Sequence, residues 1–199
     1  MTYATTCRST QHLGEVTNLA AYLERVNAVL DGATQGLFRG HRDADWMLKP
    51  GVARQTFNVR AEDESAMLEE FKRRAIPYLE SSYDLSETDW LAIAQHHGMP
   101  TRLLDWSGSA LAALWFAVNK PAAANASGAV WILEYGANDL MTDQERKAPF
   151  SIKRTALVRP RHVSRRITAQ DGWFTLHRSH PHDGELSSNL VYGGSEAGD

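Results

Sequence analysis

Several absences bound this 199-residue chain before any motif is read. One cysteine, Cys7, sits in a polar N-terminal segment, which excludes a disulfide framework and makes a cytoplasmic setting the expectation. Nothing beside Cys7 in sequence would activate it as a nucleophile. No apolar run approaches the ~20 residues needed to span a bilayer, and the N-terminus has no signal-type apolar core, so no membrane partner is expected. Cations are not in excess: 21 Lys and Arg stand against 24 Asp and Glu, a formal net charge of -3. That balance excludes bulk attraction to nucleic acid or anionic lipid and leaves only a local basic patch open. HExxH and CxxC spacings are missing, and adjacent His96 and His97 cannot share a helix face. No metal site is therefore expected.

What is present reads as an ordinary globular chain, 43% hydrophobic and 23% charged, long enough for one domain with a core. Apolar residues at spacings of three and four predict helices at Leu19–Leu30, after a Thr17 or Asn18 cap, and at Glu62–Leu79, with Pro77 imposing a kink or early stop. A third helix is predicted at Ser86–His97, opened by a capping-box-like Ser86-Glu87-Thr88-Asp89. Ala110–Asn119 is almost wholly apolar and is expected to be a buried helix. Leu37–Gly40 reads as a short strand and Trp46–Val52 as extended. Later segments, Ala129–Tyr135, Ala156–Pro160 and Phe174–His177, read as strands. Helices first and strands later favour an α+β layout over alternating βαβ units. Residues 17–185 are expected to form a single domain, with residues 1–16 and 186–199 as flexible termini.

Three short polar-aromatic units stand out: Leu37-Phe38-Arg39-Gly40-His41-Arg42, His96–Trp106 and Arg166–Phe174. An Arg closing a strand beside a Gly suits phosphate binding, with the glycine admitting a ligand to the backbone; it equally suits a structural ion pair. Arg102 and Asp105 lie three apart, with Trp106 able to stack on a flat ring. The competing interpretation is a buried Arg102–Asp105 lock with Trp106 in the core. The segment Lys153–Arg166 is locally basic and reads mainly as a solvated face, and His177–His182 as a solvated loop. If the three units belong together, they wall one composite pocket.

In this order the units resemble the FRG domain family: Phe38-Arg39-Gly40, then His97-Gly98-Met99-Pro100-Thr101-Arg102-Leu103-Leu104-Asp105-Trp106 with the Ala113–Ala117 helix, then Arg166–Phe174. The resemblance covers about residues 17–180. More distantly, the order is similar to that of ADP-ribosyltransferases, which implies N-terminal helices packed on a small, mostly antiparallel split sheet. It further implies NAD as substrate and a transferase or NAD glycohydrolase acting as a toxin or phage-defence effector on a protein or nucleic-acid acceptor. On that likeness Gln170, Asp105 and Arg39 would be catalytic. Phe38, Arg39, Gly40, Thr101, Arg102, Trp106 and Gln170 would bind the nucleotide. Gln170 stands where such enzymes carry a Glu, and a neutral amide stabilises an oxocarbenium-like charge far less well, so Asp105 or Asp171 would have to supply it. The alternative is a non-catalytic nucleotide- or protein-binding module.

Overall fold

Helices form where apolar residues recur at three and four and where a cap satisfies the first turn. α1 (Leu19–Leu30) starts at Asn18, whose side chain accepts from the Ala21 N–H at 3.0 Å. It ends at Asp31, whose φ of 38° is left-handed. α2 (Asp63–Ala75) opens on Asp63 and Glu64 and closes on Lys72, Arg73 and Arg74, as the helix dipole favours. Pro77 confines the continuation to a 3-10 turn, Ile76–Tyr78, so the helix stops short of the expected Leu79. α3 (Glu87–His96) carries the full Ser86–Asp89 capping box. α4 (Ala110–Val118) is capped by Ser109, and the short α5 (Asp143–Lys147) by Thr142.

The computed structural model describes residues 8–9, 11–31, 35–54, 63–78, 85–120, 127–160, 172–179, 186–187 and 190–191. Its strands are β1 (Arg8–Ser9), β2 (Gln35–His41), β3 (Leu103–Ser107), β4 (Ala129–Tyr135), β5 (Ala156–Val158), β6 (Gly172–Leu176), β7 (Arg178–Ser179), β8 (Leu186–Ser187) and β9 (Leu190–Val191). The central sheet has the order β4-β2-β3-β6-β5 with antiparallel pairing throughout; β1 with β9 and β7 with β8 form short two-stranded pairs. The chain is thus a mixed α+β fold with N-terminal helices and a five-stranded antiparallel sheet. Two halves of that sheet are continuous: β2 runs beside β4 from Gln35 to His41, and β3 beside β6 from Leu103 to Ser107. The halves are joined through β2 and β3 at a single pair, Phe38 with Ser107. A cleft opens where those strands part.

Strand alternation sorts the core onto two faces. On the helix side, Leu103, Phe174, Leu176, Ala156 and Val158 pack with Leu68, Leu91, Ala92 and Ala94 from α2 and α3. Phe38 packs with Tyr22, Val26 and Ala113 from α1 and α4. On the opposite face, Leu37, Leu104, Trp106, Leu157 and Trp173 close around Leu48. Each such large side chain contributes about 1.5–3 kcal/mol by leaving water. Leu48 also shows that Trp46–Val52 is not simply extended: it is anchored in this cluster and followed by a 3-10 turn, Gly51–Ala53.

The expectation of a buried α4 is corrected. Ala113 and Ala117 are its buried residues, while Leu111, Trp115 and Val118 are each more than half exposed. Small residues explain it. A Cβ on Gly40 would lie 1.9 Å from the Ala113 carbonyl oxygen, and one on Gly128 would lie 2.9 Å from that of Ala117. The helix therefore rests on the sheet through alanine and glycine; Leu111, Trp115 and Val118 point away, while Leu114 packs against the cluster of Phe38, Tyr22 and Val26. Among the described residues no helix is long and apolar enough to cross a membrane.

Candidate ligand-binding cleft

Where β2 and β3 part, a cavity of about 390 Å³ opens, walled by Phe38, Arg39, Asp105, Phe116, Gln95 and Trp173 among others. Its size falls within the usual range for small-molecule sites. The strand period of two places Arg39 and His41 on one side of β2, and the guanidinium turns into the gap between strands. Arg39 Nη1 donates to the Asp105 carbonyl oxygen at 2.7 Å and lies 3.7 Å from that residue's carboxylate. Arg39 Nε donates to His41 Nε2 at 2.9 Å.

These contacts belong to one polar chain. Thr101 Oγ1 donates to Gln95 Oε1, and Gln95 Nε2 donates to Asp105 Oδ1 at 2.7 Å. Asp105 faces Arg39, Arg39 bonds His41, and His41 Nδ1 meets the Trp46 carbonyl at 3.1 Å. Because Nε2 accepts from Arg39, the proton of His41 resides on Nδ1 and is donated to Trp46. Burial and the neighbouring Arg39 charge push the His41 pKa down to about 4, so the ring is neutral at pH 7. The chain fixes the arginine and leaves Asp105 open to solvent, its side chain 61% exposed.

The residues singled out from sequence divide sharply. Phe38, Arg39, Gly40, Asp105 and Trp106 line the cavity, as do Gly172, Trp173 and Phe174 from the third unit. Phe38 and Trp106 are only 3% and 4% exposed, however, and neither ring is free to stack on a ligand. The Trp106 indole N–H is spent on Thr175 Oγ1 at 3.0 Å. Gly40 admits α4, not a ligand, to the backbone. Thr101 is off the cavity wall and acts through Gln95.

Arg102 is also off the wall, and its partner is not Asp105. It is buried against Glu64, with Arg102 Nε on Glu64 Oε2 at 2.8 Å and the Arg102 backbone N–H on Oε1 at 2.7 Å. Burial raises the Glu64 pKa while the Arg102 charge and both bonds pull it down. Arg102 also stacks over Phe150, 4.6 Å from the ring centre. Gln170, Asp171 and Arg166 lie outside the described residues.

Gln95, His96 and Phe116 also belong to the cavity: Gln95 carried no motif, while His96 opens the second unit and Phe116 lies in the Ala113–Ala117 helix, neither with a role assigned from sequence. Gln95 is a polar residue on an ordinary amphipathic helix; its place six residues before Thr101 becomes meaningful only once the chain turns at Gly98, whose φ is +93°. His177 is likewise not in a solvated loop. It is fully buried, its Nε2 is 3.0 Å from Thr175 Oγ1, and burial with the nearby Arg102 charge lowers its pKa to about 4. In the basic segment, Arg154 is a structural tie, bonded through Nε and Nη2 to Glu145.

Fold and cleft together define a small α+β domain whose parted antiparallel sheet holds a fixed arginine at the wall of a cavity. Residues 34–126 match the FRG domain family profile, a little under half of the chain, which supports reading that segment as an FRG domain. The match takes in Phe38–Gly40 and Thr101–Trp106 but ends before Arg166–Phe174, so it is narrower than the likeness over residues 17–180. No curated protein and no solved structure shows a significant match to the chain. The expectation of an NAD-consuming transferase acting as a toxin or phage-defence effector is corrected. Among the described residues no group of three or more His, Cys, Asp or Glu gathers as a centre that could hold a metal. The rings assigned to hold the cofactor, Phe38 and Trp106, are core residues.

Proposed function

We propose that the chain is a non-catalytic binding module whose cleft takes a nucleotide. One observation carries this reading: Arg39 is held by Asp105 and His41 as a fixed positive charge in a cavity of about 390 Å³. Phe116 offers a partly exposed ring at that cavity, and Gln95, His96 and Asp105 offer polar edges for a base or ribose. A charge fixed in advance costs a phosphate ligand little ordering, which favours binding. The parted sheet is the feature of an ADP-ribosyltransferase-like arrangement that this reading keeps, as a cleft alone.

The test is isothermal titration of adenosine monophosphate into the wild type and Arg39→Ala, with circular dichroism to verify that the variant is folded. The expected loss in the variant is roughly tenfold or more, the scale of a charge-assisted hydrogen bond, with the nucleotide recovered unchanged. No heat with the wild type, or equal affinity in the folded variant, overturns the proposal. The protein-binding reading has its own observation, the exposed stripe Leu111, Trp115 and Val118 at i, i+4 and i+7 on α4. A second copy pairing through the same stripe is the simplest symmetric occupant. Sedimentation decides: a dimer abolished by Trp115→Glu supports it, and a wild-type monomer at high concentration ends it.

A further inference from the structure

Beyond Arg39 the cleft continues into a second, wider groove of about 810 Å³, which shares Arg39, Gly40 and Phe116 with the first. Its cations are Arg39, Arg42, Lys49, Arg54 and Lys120, against Asp45 as the one acidic residue lining it. In a chain of net charge -3 this is a local reversal of sign. Arg42, Lys49, Arg54 and Lys120 have no carboxylate partner among the described residues; Arg54 Nε bonds only the Lys49 carbonyl, at 3.2 Å. Like charges gathered on a concave surface repel one another and attract a polyanion.

The same groove presents an indole. Trp46 is nearly half exposed, and the Arg42 guanidinium lies 5.4 Å from its ring centre. Its position is built, not incidental. His41 bonds the Trp46 carbonyl, the Trp46 N–H bonds the Asp43 carbonyl at 3.3 Å, and the Ala44 N–H reaches Ser127 at 2.8 Å. Leu48 is buried two residues on and anchors the far side of this loop.

We infer that the groove binds the backbone of a single-stranded polynucleotide, with one base on Trp46 and the strand leading into the Arg39 cavity. A polyanion tracked by cations, with an aromatic ring for a base face, is the general design of single-strand sites. A lipid surface is disfavoured because the cations line a concavity, and an acidic peptide would have no use for the indole. The inference rests on the nucleotide reading of the first cavity and extends it from a monomer to a strand.

The test uses fluorescence anisotropy with labelled oligouridylate and oligothymidylate of about ten nucleotides, a length within the range that single-strand domains occupy. Adenosine monophosphate and polyglutamate serve as competitors. The expected result is tighter binding of the oligomers than of the monophosphate, with a marked loss at higher salt. Replacing Lys49, Arg54 and Lys120 together by Gln is expected to lower the salt slope by about 2, given ~0.7 per phosphate contact on a single strand. Trp46→Ala is expected to cost the oligomers roughly tenfold, the scale of one stacked base, and leave the monophosphate unaffected. Preference between the uridylate and thymidylate probes assigns the strand as RNA or DNA. Oligomers binding no tighter than the monophosphate overturn this inference and leave the nucleotide cavity standing. Oligomer binding that survives both groove variants, or polyglutamate binding as tight, also overturns it. Strong oligomer binding untouched by Arg39→Ala overturns the inference as well, because the strand then does not run through the Arg39 cavity.

Discussion

Glu64→Gln offers the sharpest test of how the charges are distributed. Glu64 is fully buried, and its two oxygens accept separately from the Arg102 side chain and from the Arg102 backbone N–H. Glutamine keeps one acceptor, sets an NH2 group against a second donor, and leaves the buried guanidinium without a counter-charge. Breaking a buried pair in this way costs about 3–5 kcal/mol. Asp105→Asn is the control. Asp105 is mostly exposed, its bond from Gln95 can persist, and Arg39 still reaches the backbone carbonyl, so the loss is about 0–1 kcal/mol. In urea unfolding with a slope of about 2 kcal/mol/M, the first variant loses roughly 2 M of midpoint and the second less than 0.5 M, with unchanged slope. The reverse order would refute the assignment of Arg102 to Glu64. A loss below about 1 kcal/mol for Glu64→Gln would mean that burial has already neutralised the carboxylate, and the ion-pair argument would fall.

Gly40→Ala places a methyl 1.9 Å from a backbone oxygen of α4, which cannot rotate away; we expect a loss at or above the usual ~1–3 kcal/mol of overpacking, read as a lower melting temperature. Stability also depends on pH through His177. Its folded pKa of about 4 lies below the 6.5 of the unfolded chain, so its contribution is complete above pH 6.5 and is lost as pH falls toward 4, with no further loss from this group below that. The span of this effect is about 3 kcal/mol, and His177→Gln should flatten that part of the unfolding free energy between pH 7 and 4.5; an unaltered slope would show that His177 does not carry it. Ser86→Ala removes one half of the capping box and should cost about 1 kcal/mol in urea unfolding; no change would mean that Asp89 alone holds the helix start.

Period and punctuation made most of the elements legible. The 3.6-residue spacing, the Asn18 and Ser86 caps and Pro77 located α1, α3 and the end of α2, because those signals act within a few residues. The same local logic misread α4. Composition says that an apolar helix wants burial, but how closely it approaches the sheet depends on Gly40, some seventy residues before it, and on Gly128, ten residues after it, both outside the helix's own pattern. The candidate site was legible as three units but not as roles. Arg39 and Asp105 meet across 66 positions of chain, whereas Arg102, three residues from Asp105, turns the other way to Glu64, on a helix read only for its apolar spacing and its proline stop.

The sequence alone determined the α+β class, the presence of the four longer helices, the mild overall acidity and the presence of three chemically dense units, since all of these follow from local pattern and composition. Pairing partners, the parting of β2 from β3, the core fates of Phe38 and Trp106, and the gathering of cations beside Trp46 were settled by the tertiary fold. The physical reason is that charge pairing and burial depend on distance in space, and residues adjacent along a strand point to opposite faces. Asp105 shows both sides of this. Its place beside Trp106 made it a candidate, and only the Glu64–Arg102 pair left it free to hold Arg39.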